Sequence, residues 1–146
     1  MTERKAIHAD MKILAKTFDV LTAELEKTLP SLTVLVCFPG EMVLKEGEKG
    51  SEVYVALEGK LAVRQSRLFI FSKEVAKLGP GDIFGEIGFL VPTTRSASIV
   101  ATESAEVARI GLNDFKALLD AHPELRARIE EMARRRLYSL QAASHN

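Results

Sequence analysis

Two charged residues, Glu86 and Arg95, stand nine positions apart in a stretch that otherwise holds glycine, apolar and small hydroxyl residues. An ionised carboxylate only accepts hydrogen bonds, so Glu86 suits a neutral donor such as a sugar hydroxyl. The guanidinium of Arg95 can make a two-pronged contact to phosphate oxygens. Gly85 and Gly88 let the backbone come close to a bound group because neither carries a side chain. The set could read a sugar hydroxyl and a nearby phosphate together; a structural ion pair between Glu86 and Arg95 is the plain alternative.

Residues 86–90 are predicted to form a short helical turn, whose free N–H groups favour an anion. Other kinds of site are hard to assemble from this sequence. Cys37 is the single cysteine, so neither a disulfide within the chain nor a cysteine metal cluster can form. The three histidines lie outside residues 31–111, the zone of β-like runs described below. Proteins with a β-roll often hold a metal on histidines in that zone. We therefore expect a binding protein and not an enzyme. We also expect that it uses no metal or other cofactor.

The bulk composition describes a single globular domain of 146 residues. Lys and Arg together number 20, as do Asp and Glu, so the chain lacks the basic excess of a nucleic-acid binder. No apolar run approaches the roughly 20 residues that cross a bilayer, and the charged N-terminus does not resemble a signal peptide. These features predict a cytoplasmic protein without membrane insertion.

The elements that must position Glu86 and Arg95 begin with an amphipathic segment, residues 1–30. Its apolar residues alternate in steps of four and three and predict one helix over residues 3–28, ahead of Pro30. Two interpretations stay open: a coiled-coil seam of a homodimer through residues 7–25, or a helix packed on the rest of its own chain. The apolar positions are Ile7, Met11, Leu14, Phe18, Leu21 and Leu25.

Residues 31–111 show short β-like runs separated by Gly- and Pro-containing turns. Their close spacing predicts an eight-stranded antiparallel β-roll of the jelly-roll, cupin-like kind. The fold class is thus mainly β, with an N-terminal helix and two C-terminal helices, and residues 31–146 form the main domain. The predicted strands are Leu32–Phe38, Met42–Leu44, Glu52–Leu57, Leu61–Gln65, Leu68–Phe71, Glu74–Leu78, Ser96–Ala101 and Ala105–Ile110.

A helical period returns over residues 112–141. Asn113 or Asp114 is the predicted N-cap of a helix over 115–121, and Pro123 separates it from a last helix. Leu125, Ile129, Met132 and Leu140 fall near one face of that last helix. The run Arg134–Arg136 is interpreted as a solvated face, from which one arginine could still reach a ligand.

The segment from Phe84 to Ser98 resembles the phosphate-binding cassette of the cyclic nucleotide-binding domain family. The family pattern is matched by Phe84-Gly85-Glu86-Ile87-Gly88-Phe89, with Phe89 in place of the commoner Leu, and by Arg95-Ser96-Ala97-Ser98. The resemblance extends to Phe38-Pro39-Gly40-Glu41 and Pro80-Gly81-Asp82, and covers about residues 30–138. The family includes catabolite activator proteins, regulatory subunits of cAMP-dependent kinases and cyclic nucleotide-gated channels.

The resemblance implies a role for each matched residue. Glu86 would accept a hydrogen bond from the ribose 2′-OH, and Arg95 would pair with the exocyclic phosphate oxygens. The Ser96 hydroxyl would complete a phosphate cradle with backbone amides near Gly85, Ile87, Gly88 and Ala97. The base would lie against apolar strand residues, with Val63 and Val75 as candidates, and the last helix, residues 125–140, would act as a lid.

The implied function is a regulatory sensor module that binds a cyclic nucleotide and acts on an unknown effector protein. Ser96 favours cAMP over cGMP, because Ser rather than Thr occurs there in cAMP-binding members, and cGMP stays open. The chain stops about six residues after Leu140, where transcription factors of this family continue into a helix-turn-helix, so direct DNA binding is not expected. The alternative is a roll without ligand that serves as an interaction or dimerisation domain.

Overall fold

A computed structural model of the protein describes residues 1–67, 71–90 and 94–144. Most of the predicted strand Leu68–Phe71 falls outside the described residues, as do cassette residues 91–93, His145 and the side chain of Leu140.

Two antiparallel sheets form the body of the molecule, which confirms the mainly β fold with flanking helices. One sheet has the strand order β1-β2-β9-β4-β7 and the other the order β3-β8-β5-β6. Non-consecutive neighbours in both sheets are the mark of a roll rather than of a meander. The strands are β1 (Thr2–Lys5), β2 (Thr33–Cys37), β3 (Met42–Leu44), β4 (Val53–Glu58), β5 (Leu61–Arg67), β6 (Phe71–Leu78), β7 (Ile83–Phe84), β8 (Ser98–Ala101) and β9 (Ala105–Ile110).

Beyond small shifts in strand ends, the strands differ from the prediction in three places. The predicted run Glu74–Leu78 is part of a longer β6 that starts at Phe71. The two-residue strand β7 was not predicted, because it is too short to show an alternating pattern. Strand β1 lies in the segment predicted as helix and pairs with β2, with Arg4 opposite Val34.

The prediction of one helix over residues 3–28 is wrong. After β1 the chain forms α1 (His8–Phe18) and α2 (Thr22–Thr28), and the break falls at Asp19. Asp19 has φ of 56°, in the left-handed region, and its N–H donates to Ala15 O as the C-cap of α1. Aspartate tolerates this conformation better than most residues, so the helix ends there and reverses direction.

The apolar residues of the N-terminal segment pack on their own chain. Met11, Leu14, Phe18 and Leu25 are buried in the main core, whereas Ile7 and Leu21 are exposed. Burial of a Leu, Met or Phe side chain stabilises a fold by about 1.5–3 kcal/mol. Burial of these four side chains supports the second interpretation, a segment packed on its own chain, since a coiled-coil seam through residues 7–25 would require them on the surface.

The remaining helices are α3 (Ile87–Leu90), α4 (Leu112–Ala121) and α5 (Pro123–Ser144). Helix α4 begins one residue before Asn113 with Gly111 as N-cap, so both predicted caps are wrong. Pro123 opens α5, where its missing N–H has no intrahelical partner to lose. Leu125 and Ile129 of α5 are buried, as predicted. None of the described helices is both long and apolar enough to cross a membrane.

Two clusters of buried side chains make up the core. The larger lies where helices α1, α2, α4 and α5 cover the five-stranded sheet, and it includes Phe18 and Phe115. The smaller lies between the two sheets and contains Cys37, fully buried as expected for a small apolar residue, and the stacked rings of Tyr54 and Phe84. The second sheet and α5 leave a gap beside this smaller cluster, and the cassette borders that gap.

Candidate ligand-binding site

A cavity of about 320 Å³ lies between β5, β6, the cassette and α5. It is lined by all seven residues that the sequence singled out: Gly85, Glu86, Ile87, Gly88, Arg95, Ser96 and Ala97. Val63 of β5 and Val75 of β6, the two candidates for an apolar wall, line it as well. The fold thus brings together residues that are up to 34 positions apart in the sequence.

Arg95 is held with its guanidinium at the cassette end of the cavity. The residue is 8% exposed, and its guanidinium donates to the carbonyl oxygens of Glu52 at 3.0 Å and Gly85 at 3.4 Å. The Glu52 carboxylate lies 3.7 Å from Nη2. A guanidinium carries five N–H donors, so these contacts orient Arg95 and leave donors for an anion. The predicted alternative, a structural ion pair between Glu86 and Arg95, is not formed.

Two glycines make room for this arginine. A Cβ at Gly50 would lie 2.7 Å from Arg95 Nη2, and one at Gly85 would lie 2.9 Å from the Glu52 carbonyl oxygen. Gly85 also has φ of 81°, which side chains rarely allow. At Gly88 a Cβ would meet Arg95 only at 3.5 Å. The steric need for glycine therefore falls on Gly85 and Gly50, and the sequence reasoning had assigned it to Gly85 and Gly88.

The predicted helical turn after Glu86 is present as α3. Within it the Gly88 N–H donates to Gly85 O at 3.3 Å and the Phe89 N–H to Glu86 O at 3.0 Å. Phe89, which stands where the family commonly has Leu, packs edge-on against Phe115 of α4 with ring centroids 5.8 Å apart. Arg126 of α5 lies over the same ring, 5.5 Å from its centroid. The cassette is thereby attached to both C-terminal helices.

Glu86 is a buried carboxylate, with 1% of the residue exposed. Burial raises its pKa above the ordinary value of 4.5, and the positive charge of Arg136 opposes that rise. Its Oε1 accepts a hydrogen bond from Arg136 Nη1 at 2.9 Å, and the same Nη1 also donates to the Ile83 carbonyl oxygen. The contact spans 50 residues and joins the cassette to the last helix.

The arginine run 134–136 divides between surface and site. Arg134 and Arg135 pair with Glu130 and Glu131 on the outer side of α5, as predicted for a solvated face. Arg136 lines the cavity with Ser139, three positions further along. The sequence held a signal for this choice, because Met132 is an inward position and Arg136 follows four residues later on the same side of the helix.

The lining also includes the aliphatic residues Leu44, Val63, Val75 and Ile99 of the second sheet, with Lys77, Asp82, Thr94 and Ser139 as further polar members. The cavity therefore offers charged and hydrogen-bonding groups that suit an anion and hydroxyl groups, together with aliphatic side chains that suit a flat apolar group. Among the residues that the structure describes, no three His, Cys, Asp or Glu side chains cluster as a metal site would.

Residues 36–122 match the profile of a family described as Cyclic nucleotide-binding domain. The cyclic AMP receptor protein of Thermus thermophilus is 32% identical over 98 residues, which are 67% of this chain and 45% of the receptor. The cGMP-dependent protein kinase of Eimeria tenella is 37% identical over 97 residues, 66% of this chain and 9% of the kinase. The chain spans less than half the length of either of these curated relatives.

A solved structure supports the same assignment. The crystal structure of the catabolite activator protein of Thermus thermophilus matches with a TM-score of 0.71 and 27% identity, over 83% of this chain and 57% of that one. The profile covers more than half of the chain, and its matched region contains the cassette with Glu86 and Arg95. The resemblance drawn from the sequence is confirmed: the chain belongs to the regulatory cyclic nucleotide-binding domain family.

Proposed function

We propose that this chain binds a cyclic nucleotide in the cavity between the second sheet, the cassette and α5, with cAMP preferred over cGMP. The observation that carries the proposal is that Arg95 and Glu86, both buried, line a cavity together with aliphatic side chains of the second sheet. Arg95 keeps guanidinium donors that its protein contacts do not use and that suit an anion, and the Glu86 carboxylate can accept a hydrogen bond from a hydroxyl group.

The ligand is oriented by its chemistry. The charged oxygens of a cyclic phosphate pair with the donors of Arg95 that protein carbonyls leave unused. The ribose 2′-OH donates to Glu86, whose carboxylate accepts hydrogen bonds only. The base packs on Val63 and Val75, with Ser139 of α5 close to its edge. The preference for cAMP rests on Ser96, and curated relatives named for cAMP and for cGMP both resemble this chain.

Calorimetric titration of the purified protein with cAMP and with cGMP tests the proposal, after removal of any nucleotide carried through purification. We expect saturable binding, tighter for cAMP, and about ten- to a hundredfold loss of affinity in Arg95→Ala and in Glu86→Ala. Arg64→Ala, on β5 but not among the cavity residues, is the matched control and should bind as the wild type does. If neither nucleotide binds, the proposal fails and the alternative of a roll that serves as an interaction domain takes its place.

We further propose that α5 reports ligand occupancy to an effector. Arg136 holds α5 to Glu86 in this conformation, and a ribose hydroxyl that binds Glu86 competes with Arg136 for the same carboxylate oxygen. Phe89 supplies a second connection, because it contacts Phe115 of α4 and Arg126 of α5. A ligand that binds one position of α5 better than another shifts the population towards that position.

A fluorescent reporter on α5 tests this step. The chain has no tryptophan, and Tyr138 is 74% exposed on α5. We expect the emission of Tyr138→Trp to change on saturation with cAMP. Phe38→Trp, at a 57% exposed site far along the chain from α5, should not respond. Adding Arg95→Ala to Tyr138→Trp should abolish the response at the same cAMP concentration. Binding without any change in emission would contradict the movement of α5.

A further inference from the structure

Gln65 is a polar residue at a core-facing position of β5. Side chains of a strand alternate between its two faces, so Gln65 shares a face with Leu61 and Val63. Leu61 is buried between the sheets and Val63 lines the cavity. Gln65 itself is only 8% exposed, where the pattern would favour an aliphatic side chain.

The amide of Gln65 uses only one of its two polar atoms. Nε2 donates to the carbonyl oxygen of Ser96 at 3.1 Å. Oε1 is fully buried and has no hydrogen-bond partner among the residues that the structure describes. Exchanging the two atoms would place Oε1 against the Ser96 oxygen, an acceptor against an acceptor, so the orientation is fixed. A buried acceptor without a partner destabilises a fold and calls for an explanation outside stability.

The Ser96 carbonyl belongs to the peptide unit whose other end is the Ala97 N–H. That unit is planar and trans, so the carbonyl and the N–H point in opposite directions. When Gln65 holds the Ser96 oxygen towards β5, the Ala97 N–H is turned away from the Gln65 amide. Ser96 and Ala97 both line the cavity, immediately after Arg95.

We propose that Gln65 is a positioning residue for the ligand phosphate: its amide fixes the Ser96–Ala97 peptide so that the Ala97 N–H donates to a phosphate oxygen held by Arg95. This inference rests on the proposed binding of a cyclic nucleotide and adds a residue outside the cassette. It accounts for an amide at a core position, because an aliphatic side chain there would pack at least as well but would leave the peptide free to rotate.

The test replaces Gln65 with methionine, which keeps the length of the side chain and removes the amide. We expect Gln65→Met to weaken the binding of cAMP and cGMP about three- to tenfold, the effect of one neutral hydrogen bond. The midpoint of thermal unfolding of the free protein should stay close to that of the wild type, because loss of the orphaned acceptor offsets loss of the bond to Ser96. Ser66→Ala, an exposed neighbour on β5, is the control and should leave affinity unchanged.

Amide resonances give a readout that a purely structural role would not move. In ¹⁵N-labelled wild type, the Ala97 and Ile87 amides should both shift on saturation with cAMP. In Gln65→Met the Ala97 shift should shrink while the Ile87 shift is retained. Gln65→Leu, which also lacks the amide, should repeat this result and serves if the methionine variant folds poorly.

Two results would overturn the inference. One is wild-type affinity in Gln65→Met together with an unchanged Ala97 shift, in a protein whose wild type binds ligand. The other is an equal loss of both amide shifts together with a lower unfolding midpoint, which would make Gln65 a fold-supporting residue only. Failure of the wild type to bind either nucleotide is a different outcome, because it removes the proposed function itself and the inference with it.

Discussion

At the scale of single residues, two opposing effects act on the pKa of Glu86 in the candidate site. Burial raises its pKa, while Arg136 and, more weakly, Arg95 favour the ionised form. Glu86 lines the cavity, so a change in its charge would be felt by a ligand bound there. In the free protein this raised pKa gives stability below pH 4.5 that is lost as the pH rises through the folded-state pKa.

Ligand affinity should have the opposite dependence on pH. Only the ionised carboxylate accepts the ribose hydroxyl with full strength, so we expect affinity for cAMP to fall as the pH drops through the raised pKa of Glu86, above 4.5. Titrations at a series of pH values between 5 and 8 measure this. Glu86→Gln, which cannot ionise, should bind more weakly at neutral pH and show a flat profile. A profile of the same shape in wild type and Glu86→Gln would assign the pH effect to another group.

At the scale of elements, the N-terminal strand is tied to the helix that follows it. Arg4 of β1 donates to both carboxylate oxygens of Asp10 in α1, at 2.7 and 3.0 Å, and Nη2 also reaches Glu106 of β9 at 3.3 Å. Asp10 also accepts from the backbone N–H of Ile7 at 2.8 Å, which closes the first turn of α1. The hydrogen bond from Arg4 holds the pKa of Asp10 below its ordinary value. These contacts explain why the chain begins with a strand and not with the long helix that its apolar pattern predicts.

Asp10→Asn tests the weight of this connection. We expect it to lower the free energy of unfolding by about 1–2 kcal/mol at pH 7, since the amide oxygen accepts only part of the hydrogen bonds that the carboxylate accepts, the amide NH2 cannot accept from Arg4, and the charge is lost. A lowered pKa gives stability that is present above the ordinary value of 3.8 and lost as the pH falls below it, so the gap between variant and wild type should narrow there. Urea unfolding at pH 7 and at pH 3.5 provides the comparison.

Glu26→Gln is the control, because Glu26 forms an exposed pair with His8. It should change the free energy of unfolding by less than about 0.5 kcal/mol. An effect as large as that of Asp10→Asn would refute the special role of the β1–α1 connection.

At the scale of the whole molecule, the second sheet, the cassette and α5 meet around one cavity, so ligand binding should stabilise the entire domain. A ligand at one hundred times its Kd stabilises the folded state by about 2.7 kcal/mol. For a chain of this size that raises Tm by about 5–10 °C. Thermal unfolding with and without cAMP measures the shift, and Arg95→Ala should show a much smaller one at the same ligand concentration. An equal shift in Arg95→Ala would mean that cAMP binds somewhere other than this cavity.

The sequence by itself predicted the mainly β fold class and the cassette residues of the candidate site, but not which residues of α5 line the cavity. Alternating strands, turn glycines and the cassette motif each occupy a short continuous stretch of the chain. They can therefore be recognised in the sequence without knowledge of tertiary contacts. For that reason Glu86, Arg95 and the residues around them could be named before any contact was visible. Val63 and Val75 were candidates only through the family resemblance, which implies that the base packs on apolar strand residues.

Tertiary structure decided what depends on contacts between distant segments. The heptad pattern of residues 7–25 could not distinguish a dimer seam from burial on the chain's own core, since both need the same apolar face. The helical period favoured Arg136 among residues 134–136, but its contact with Glu86, 50 residues away, is visible only in the tertiary structure. The strand pattern marks Gln65 as a polar residue at a core-facing position, but its partner could not be identified from the sequence, because that partner is a backbone carbonyl 31 residues away and every position has one.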